Sequence, residues 1–288
     1  MNWDQIVAQV RPHVVRIDTP SVFGTGFLCL SNTDRSLVGI ATARHVVAHA
    51  DKWLAPIRIS SEGNKTANLC LATERSIWID PNTDCAVIIA SPSAFGLEAS
   101  LSSLQNLPPL FPCSSTLPIG SSVGWLGYPS IADTMCFFRG VISAVELSPI
   151  RTYLIDGVAI NGVSGGPVFY CDPDANNISI VGVISAYRPN RLYDESLPGL
   201  SIAQDVSHLH NAVLQIKTID DAERIKHELQ LVFSDAYEKT FGEMSRLLKQ
   251  AQPALLHAMR HWRTNGCNRG GYARLIRDVL QSRFFTHH

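Results

Sequence analysis

The sequence predicts an all-β region built as two units, each a barrel or a sandwich, followed by a small α-helical C-terminal extension. Three observations lead there. Short β-branched or apolar runs, separated by Gly, Pro, Ser and Asn clusters, recur through the first two hundred residues. Hardly any 3.6-residue periodicity interrupts them. Near Asp205 the pattern changes, and apolar residues then return every three or four positions.

Taken in order, the strand-like runs are Val14–Ile17, Gly26–Leu30, Leu37–Thr42, Ser76–Ile79 and Cys85–Ala90. Ser91–Gly120 is rich in Ser, Pro and Leu and reads as a linker between two β units. Ser122–Leu126, Met135–Val145, Tyr153–Ile160, Pro167–Tyr170, Ile178–Ser185 and Leu200–Ala203 follow it. So many short strands at this spacing indicate barrels or sandwiches. The expected boundaries are a β domain over 1–217 and a helical region over 218–288. Within the first, one unit spans about 10–95, the linker about 96–118 and the second unit about 119–205. In the tail, helical spacing runs from Ala222 through Ile225, Leu229 and Val232 to Leu248, with Asp220 and Glu223 as an N-terminal capping pair. Pro253 opens a second expected helix, closed by Gly266, and a third follows Gly271.

The bulk composition is that of an ordinary globular chain: 288 residues, 45% hydrophobic, 17% charged, net charge −1. That balance points to no polyanionic or polycationic partner for the molecule as a whole. The charge is uneven, however, because Arg246–His288 carries eight Lys or Arg residues against the single acidic Asp278. A run of this kind is more often a solvated face than a binding surface, and no named nucleic-acid motif accompanies it. The seven cysteines are scattered and include no Cys-x-x-Cys pair, which reads as reduced thiols in a cytoplasmic protein. Neither a secretory signal nor an apolar run approaching a membrane span is visible. Metal-ligand clusters and nucleotide loops are not evident either, so no cofactor is expected.

Asn161-Gly-Val-Ser-Gly-Gly-Pro167 is the most informative segment. Acyl transfer needs a hydroxyl beside two free backbone N–H groups to receive a developing oxyanion. Glycines let a turn present them without a Cβ in the way. Ser164 is the candidate nucleophile, with the N–H groups of Gly162 and Ser164 as the candidate oxyanion hole. A Gly-rich turn whose serine faces water would look the same in isolation. A serine nucleophile also needs a base and an orienting carboxylate. His45 closes the run Ile40-Ala-Thr-Ala-Arg-His45, and Asp84 opens the apolar run Cys85–Ala90. Asp51 and Asp80 compete as the acid, but neither opens a buried strand. The order His, Asp, Ser, each at a strand edge, decides the matter. Gly162, Ser164 and Gly166 also satisfy Gly-x-Ser-x-Gly, yet that reading requires a helix after the serine and the histidine last. Here Pro167-Val-Phe-Tyr continues as strand.

These segments together resemble the trypsin-like serine peptidases, most closely the HtrA/Deg type, from about Val14 to Leu214. Gly24-Thr-Gly-Phe-Leu28, Ala41-Thr-Ala-Arg-His45-Val-Val and Asp84-Cys-Ala-Val-Ile resemble that family's first-barrel motifs. Val123-Gly-Trp-Leu-Gly-Tyr-Pro129, Gly140–Val145, Asp156–Pro167, Val181–Ala186 and Pro198–Ala203 resemble its second barrel. The resemblance implies an all-β double barrel with His45 as general base, Asp84 as its orienting acid and Ser164 as the acyl-forming nucleophile. It puts Val158 and Tyr187 on the walls of the primary specificity pocket, and Ser185 at the same pocket on the strand that can bond the acid. No acidic residue stands at the pocket's base, so small or medium apolar P1 residues are expected and basic ones are not. The expected partner is a protein or peptide substrate.

Departures from the family matter as much. Val163 stands where zymogens of the trypsin type keep an Asp, so activation by N-terminal cleavage is not expected. No PDZ pattern is visible in 218–288, where helices are expected instead, as a surface for oligomerisation or for a regulatory partner. The competing class is a catalytically idle protease fold that recruits partners, against which all three triad positions and the glycine turn are intact.

Overall fold

The computed structural model describes residues 2–62, 67–97, 106–148, 150–173, 175, 177–192 and 195–265. An eight-residue helix, α1 (Trp3–Val10), opens the chain ahead of the first strand. Its start is a capping box: Gln5 N–H donates to Asn2 Oδ1 at 3.1 Å, and Asn2 N–H donates to Gln5 Oε1 at 3.2 Å. Ile6 and Val10, one turn apart, form its buried edge.

Seven strands follow: β1 (Val14–Asp18), β2 (Phe23–Ser31), β3 (Val38–Ala43), β4 (Ile57–Ser61), β5 (Asn68–Cys70), β6 (Arg75–Ile79) and β7 (Cys85–Ala90). They make one antiparallel sheet in the order β5-β4-β1-β2-β3-β7-β6, curled as a half-barrel. A second set, β8 (Ser122–Gly127), β9 (Cys136–Glu146), β10 (Thr152–Asp156), β11 (Pro167–Cys171), β12 (Ile178–Leu192) and β13 (Glu195–Asp205), closes into a barrel in the order β10-β13-β12-β11-β8-β9. The expected all-β double barrel with a helical C-terminal extension is the observed architecture.

Strand alternation explains how the two halves are joined. In β7, Ala86, Ile88 and Ala90 face a core with Ile17, Leu28, Ile40 and Ile59. The alternate residues Cys85, Val87 and Ile89 face a different cluster, shared with Phe27, Leu126, Phe169, Leu209 and Ile216. The unbroken apolar run of β7 is therefore a strand buried on both faces, wedged between its own barrel and the inter-barrel cluster. Trp125, Ile155, Val168 and Val181 fill the second barrel. Fully burying such side chains stabilises by roughly 1.5–3 kcal/mol each.

Several elements differ from expectation. The strand leading to His45 stops at Ala43, and Arg44–Lys52 is a helix, α2. Ala43, Val46, Val47 and Ala50 recur at i, i+3, i+4 and i+7 and are all buried, so helical periodicity overrides the β preference of Val46-Val47. β4 and β5 lie in a stretch without strong alternation. β10 ends at Asp156, four residues short of the run Tyr153–Ile160, because Gly157 begins a loop. The linker is not inert: Phe95 and Leu97 pack into the first core, and Phe111 N–H donates to Ile180 C=O at 2.8 Å. The chain divides into compact units 1–222 and 223–288. A 3-10 turn, Val206–Leu209, leads into a single helix α3 (His210–Asn265) where two were expected. It runs past Pro253, since one missing N–H removes one bond from a ladder that continues on both sides. Asp220 lies inside α3 and receives Asn32 Nδ2–H at 3.1 Å instead of capping the helix. The helix expected after Gly271 lies outside the described residues.

Candidate active site

Asp84 owes its position to a turn built by the preceding aspartate. Asp80 is 2% exposed, and its Oδ1 receives the N–H groups of Asn82 and Thr83 at 2.8 and 2.9 Å. Asp80 N–H donates in turn to Cys85 C=O at 3.0 Å. This side-chain-closed turn delivers Asp84 to the end of β7, facing the first turn of α2. There Arg44 N–H donates to Asp84 C=O at 2.9 Å and His45 N–H donates to Asp84 Oδ1 at 3.0 Å. His45 Nδ1 lies 2.7 Å from Asp84 Oδ2, and Ser185 Oγ–H, on β12, donates to the same oxygen at 2.6 Å. Burial pushes the Asp84 carboxyl up, but the bonds from His45 and Ser185 and the charge of His45 outweigh it and hold the carboxyl below its ordinary range. Val46, Val47 and Ala50 anchor α2 in the core while the His45 side chain stays half-exposed.

The segment 161–166 is held by its carbonyls. Ser130 N–H donates to Asn161 C=O at 2.7 Å, Gly166 N–H donates to Val163 C=O at 2.9 Å, and Thr25 N–H donates to Ser164 C=O at 2.8 Å. A trans peptide points its C=O and N–H to opposite sides. The Gly162 and Ser164 N–H groups are thus turned away from the groups that hold Asn161 and Val163. Among the described residues, neither makes a hydrogen bond to another protein group. Gly162 and Gly165 sit at φ +92° and +90°, where a Cβ would be strained, and a Cβ on either would also strike backbone carbonyls.

Further contacts link these pieces. Gly165 N–H donates to Ile184 C=O at 2.6 Å, one residue before Ser185, which bonds Asp84, which bonds His45. On the other side, a Cβ added to Gly24 would meet Val46 Cγ2 at 2.6 Å and Ser164 O at 3.0 Å, so both segments pack closely against this glycine. The segments that carry residues 45 and 164 thus both pack against the start of β2, at Gly24 and Thr25. Asp51, the other competing carboxylate, lies at the far end of α2.

The remaining expected residues fall as follows. Val158 is exposed in the loop after β10. Tyr187, half-buried on β12, accepts the Gly199 N–H on its hydroxyl. Ser185, expected beside the specificity pocket on the strand that can bond the acid, is buried and donates its hydroxyl proton to Asp84. Val163 is fully buried in an apolar cluster with Val123, Trp125 and Tyr153. Sequence reasoning overlooked Thr25 and the turn role of Asp80. The Asp-Pro-Asn-Thr turn chemistry is the signal that could have found the second. Among the described residues, no group of three or more His, Cys, Asp or Glu is placed to hold a metal ion.

With this geometry in view, comparison with known proteins is informative. The family model described as "trypsin-like peptidase domain" matches residues 24–178. No curated protein matches the chain. A serine endoprotease from Yersinia pestis is similar in structure at TM-score 0.52 and 19% identity, over 75% of this chain and 67% of that one. An HtrA-type protease, AlgW, solved with a tripeptide is similar at TM-score 0.52 and 16% identity, over 75% of this chain and 63% of that one. At these identities the likeness is one of fold.

Proposed function

Because the chain belongs to the trypsin-like peptidase domain family and is a serine endopeptidase, we propose that His45, Asp84 and Ser164 form its catalytic triad. The observation that carries this reading is the hydrogen-bonded line from Ser185 through Asp84 to His45 Nδ1. With Nδ1–H committed to Asp84, Nε2 is the nitrogen left to take the Ser164 proton. Ser164 Oγ then attacks the scissile carbonyl, and the N–H groups of Gly162 and Ser164 receive the oxyanion. Collapse passes the His45 proton to the departing amine and leaves an acyl-enzyme. Water, deprotonated by His45, attacks that ester and frees Ser164. Asp84 remains ionised throughout and stabilises the imidazolium, a role its depressed carboxyl suits.

The substrate we propose is a protein or peptide with a small or medium apolar P1 residue, admitted between the Val158 loop and Tyr187. Among the described residues, six cysteines are free thiols, which supports a reducing, cytoplasmic setting. The helical tail supplies regulation in this reading, by oligomerisation or a partner that orders the loop 161–164. Labelling with a fluorophosphonate tests the core of it: the full chain takes the probe at Ser164, Ser164→Ala takes none, and a peptide library is cleaved after apolar P1 residues. A full chain that neither labels nor cleaves would sink the reading and favour the idle fold.

A further inference from the structure

Thr25 is the third residue of β2, on the half-barrel that does not carry the nucleophile loop, and is fully buried. Its side chain nevertheless reaches that loop. Thr25 Oγ1–H donates to Gly162 C=O at 2.8 Å, and the same oxygen accepts Tyr128 N–H at 3.0 Å. Its backbone N–H donates to Ser164 C=O at 2.8 Å, and its own C=O accepts Thr42 Oγ1–H at 2.7 Å. A hydroxyl has one proton, so the N–H arriving from Tyr128 fixes the direction in which that proton is given.

Gly162 lies between two peptide planes. The plane before it is held through Asn161 C=O by Ser130 N–H, and the plane after it through its own C=O by Thr25. With both planes held, the Gly162 N–H has one direction. Without the hydroxyl, the second plane keeps only the bond from Val163 N–H to Ile160 C=O at 3.0 Å, beside a glycine that offers little resistance to rotation. Tyr128 N–H is released at the same time, two residues from the Ser130 that holds the first plane. One buried hydroxyl thus adds to the hold on both sides of the proposed oxyanion donor.

We propose that Thr25 is a positioning residue for the oxyanion site, holding the Gly162 N–H aimed at the developing charge through its bonds to Gly162 C=O and Tyr128 N–H. The inference rests on the reading of Ser164 as nucleophile. Thr25→Val is nearly isosteric and removes only the hydroxyl; Thr25→Ser keeps it.

The test uses the full chain, a peptide p-nitroanilide with Ala or Val at P1, and the aldehyde of the same peptide, whose hemiacetal needs the oxyanion donors. Thr25→Val should lower kcat by about 10²-fold, the scale of losing one oxyanion donor, with KM close to wild type. Aldehyde affinity should fall in parallel, and Thr25→Ser should restore most of both. Wild-type kcat in Thr25→Val, equal losses in Val and Ser, or a slower enzyme with undiminished aldehyde affinity would each overturn the role. Should Thr25→Val not fold, Thr25→Ala must show the same kcat and aldehyde losses for the inference to stand. A wild-type chain that takes no fluorophosphonate at Ser164 overturns the active-site reading itself, an outcome seen before any Thr25 variant is compared.

Discussion

Asp84 shows how one residue serves both stability and chemistry. Its carboxylate takes donors from His45 N–H, His45 Nδ1 and Ser185 Oγ, and the net effect is a carboxyl held below its ordinary range. A depressed carboxyl stabilises the fold at pH values above its unfolded pKa of about 4, and that contribution disappears as pH falls through the folded value. Replacing Ser185 by Ala removes one donor and narrows the gap. Ser185→Ala should therefore cost about 1.5–3 kcal/mol at pH 7, the range for a hydrogen bond to a charged group, and less once the carboxyl is protonated. Urea unfolding at pH 7 and at the lowest pH at which the protein stays folded measures both. A cost that is the same at the two pH values would mean that the hydroxyl acts by packing alone.

At the scale of elements, the turn between β6 and β7 matters more than its exposed sequence suggests. Asp80 closes it from inside with two backbone donors, and its other oxygen lies 3.7 Å from His208 Nδ1 on the turn that leads into α3. Asp80→Ala would strand the buried Thr83 N–H and loosen the segment that presents Asp84. A loss of about 1–3 kcal/mol in stability is expected, with kcat falling while KM holds. Asp80→Asn keeps the acceptor for both N–H groups and should recover most of the loss in urea titrations and turnover assays. If Asn behaves like Ala, the turn is not what positions Asp84. The helix α2 teaches the complementary lesson: two valines after His45 mimic a strand, yet the burial of every third and fourth residue makes a helix of them.

For the whole molecule, the boundary that counts is where α3 leaves the catalytic unit. Leu209, Ala212 and Ile216 belong to the inter-barrel cluster with Cys85, Val87 and Ile89, so the root of α3 is part of that unit. Farther along, Ile225, Leu229, Leu231 and Val232 are exposed. An exposed apolar face on a helix calls for a covering partner. If the tail orders the active-site loop on association, the Met1–Ala222 fragment should turn over more slowly than the full chain. The full chain alone should gain specific activity with protein concentration. Equal activity of the two would remove the tail from regulation. The sequence by itself determined the two β units, the change to helix after Asp205 and the three candidate catalytic residues. Those features are local, written in strand period, glycine spacing and residue order. Only the tertiary structure decided that β7 is buried on both faces, that Ser185 is spent on Asp84 and that Thr25 crosses from one half-barrel to the other's loop. Each of these depends on contacts between residues about a hundred positions apart, or on which of two cores a side chain meets, and neither leaves a periodic trace in the chain.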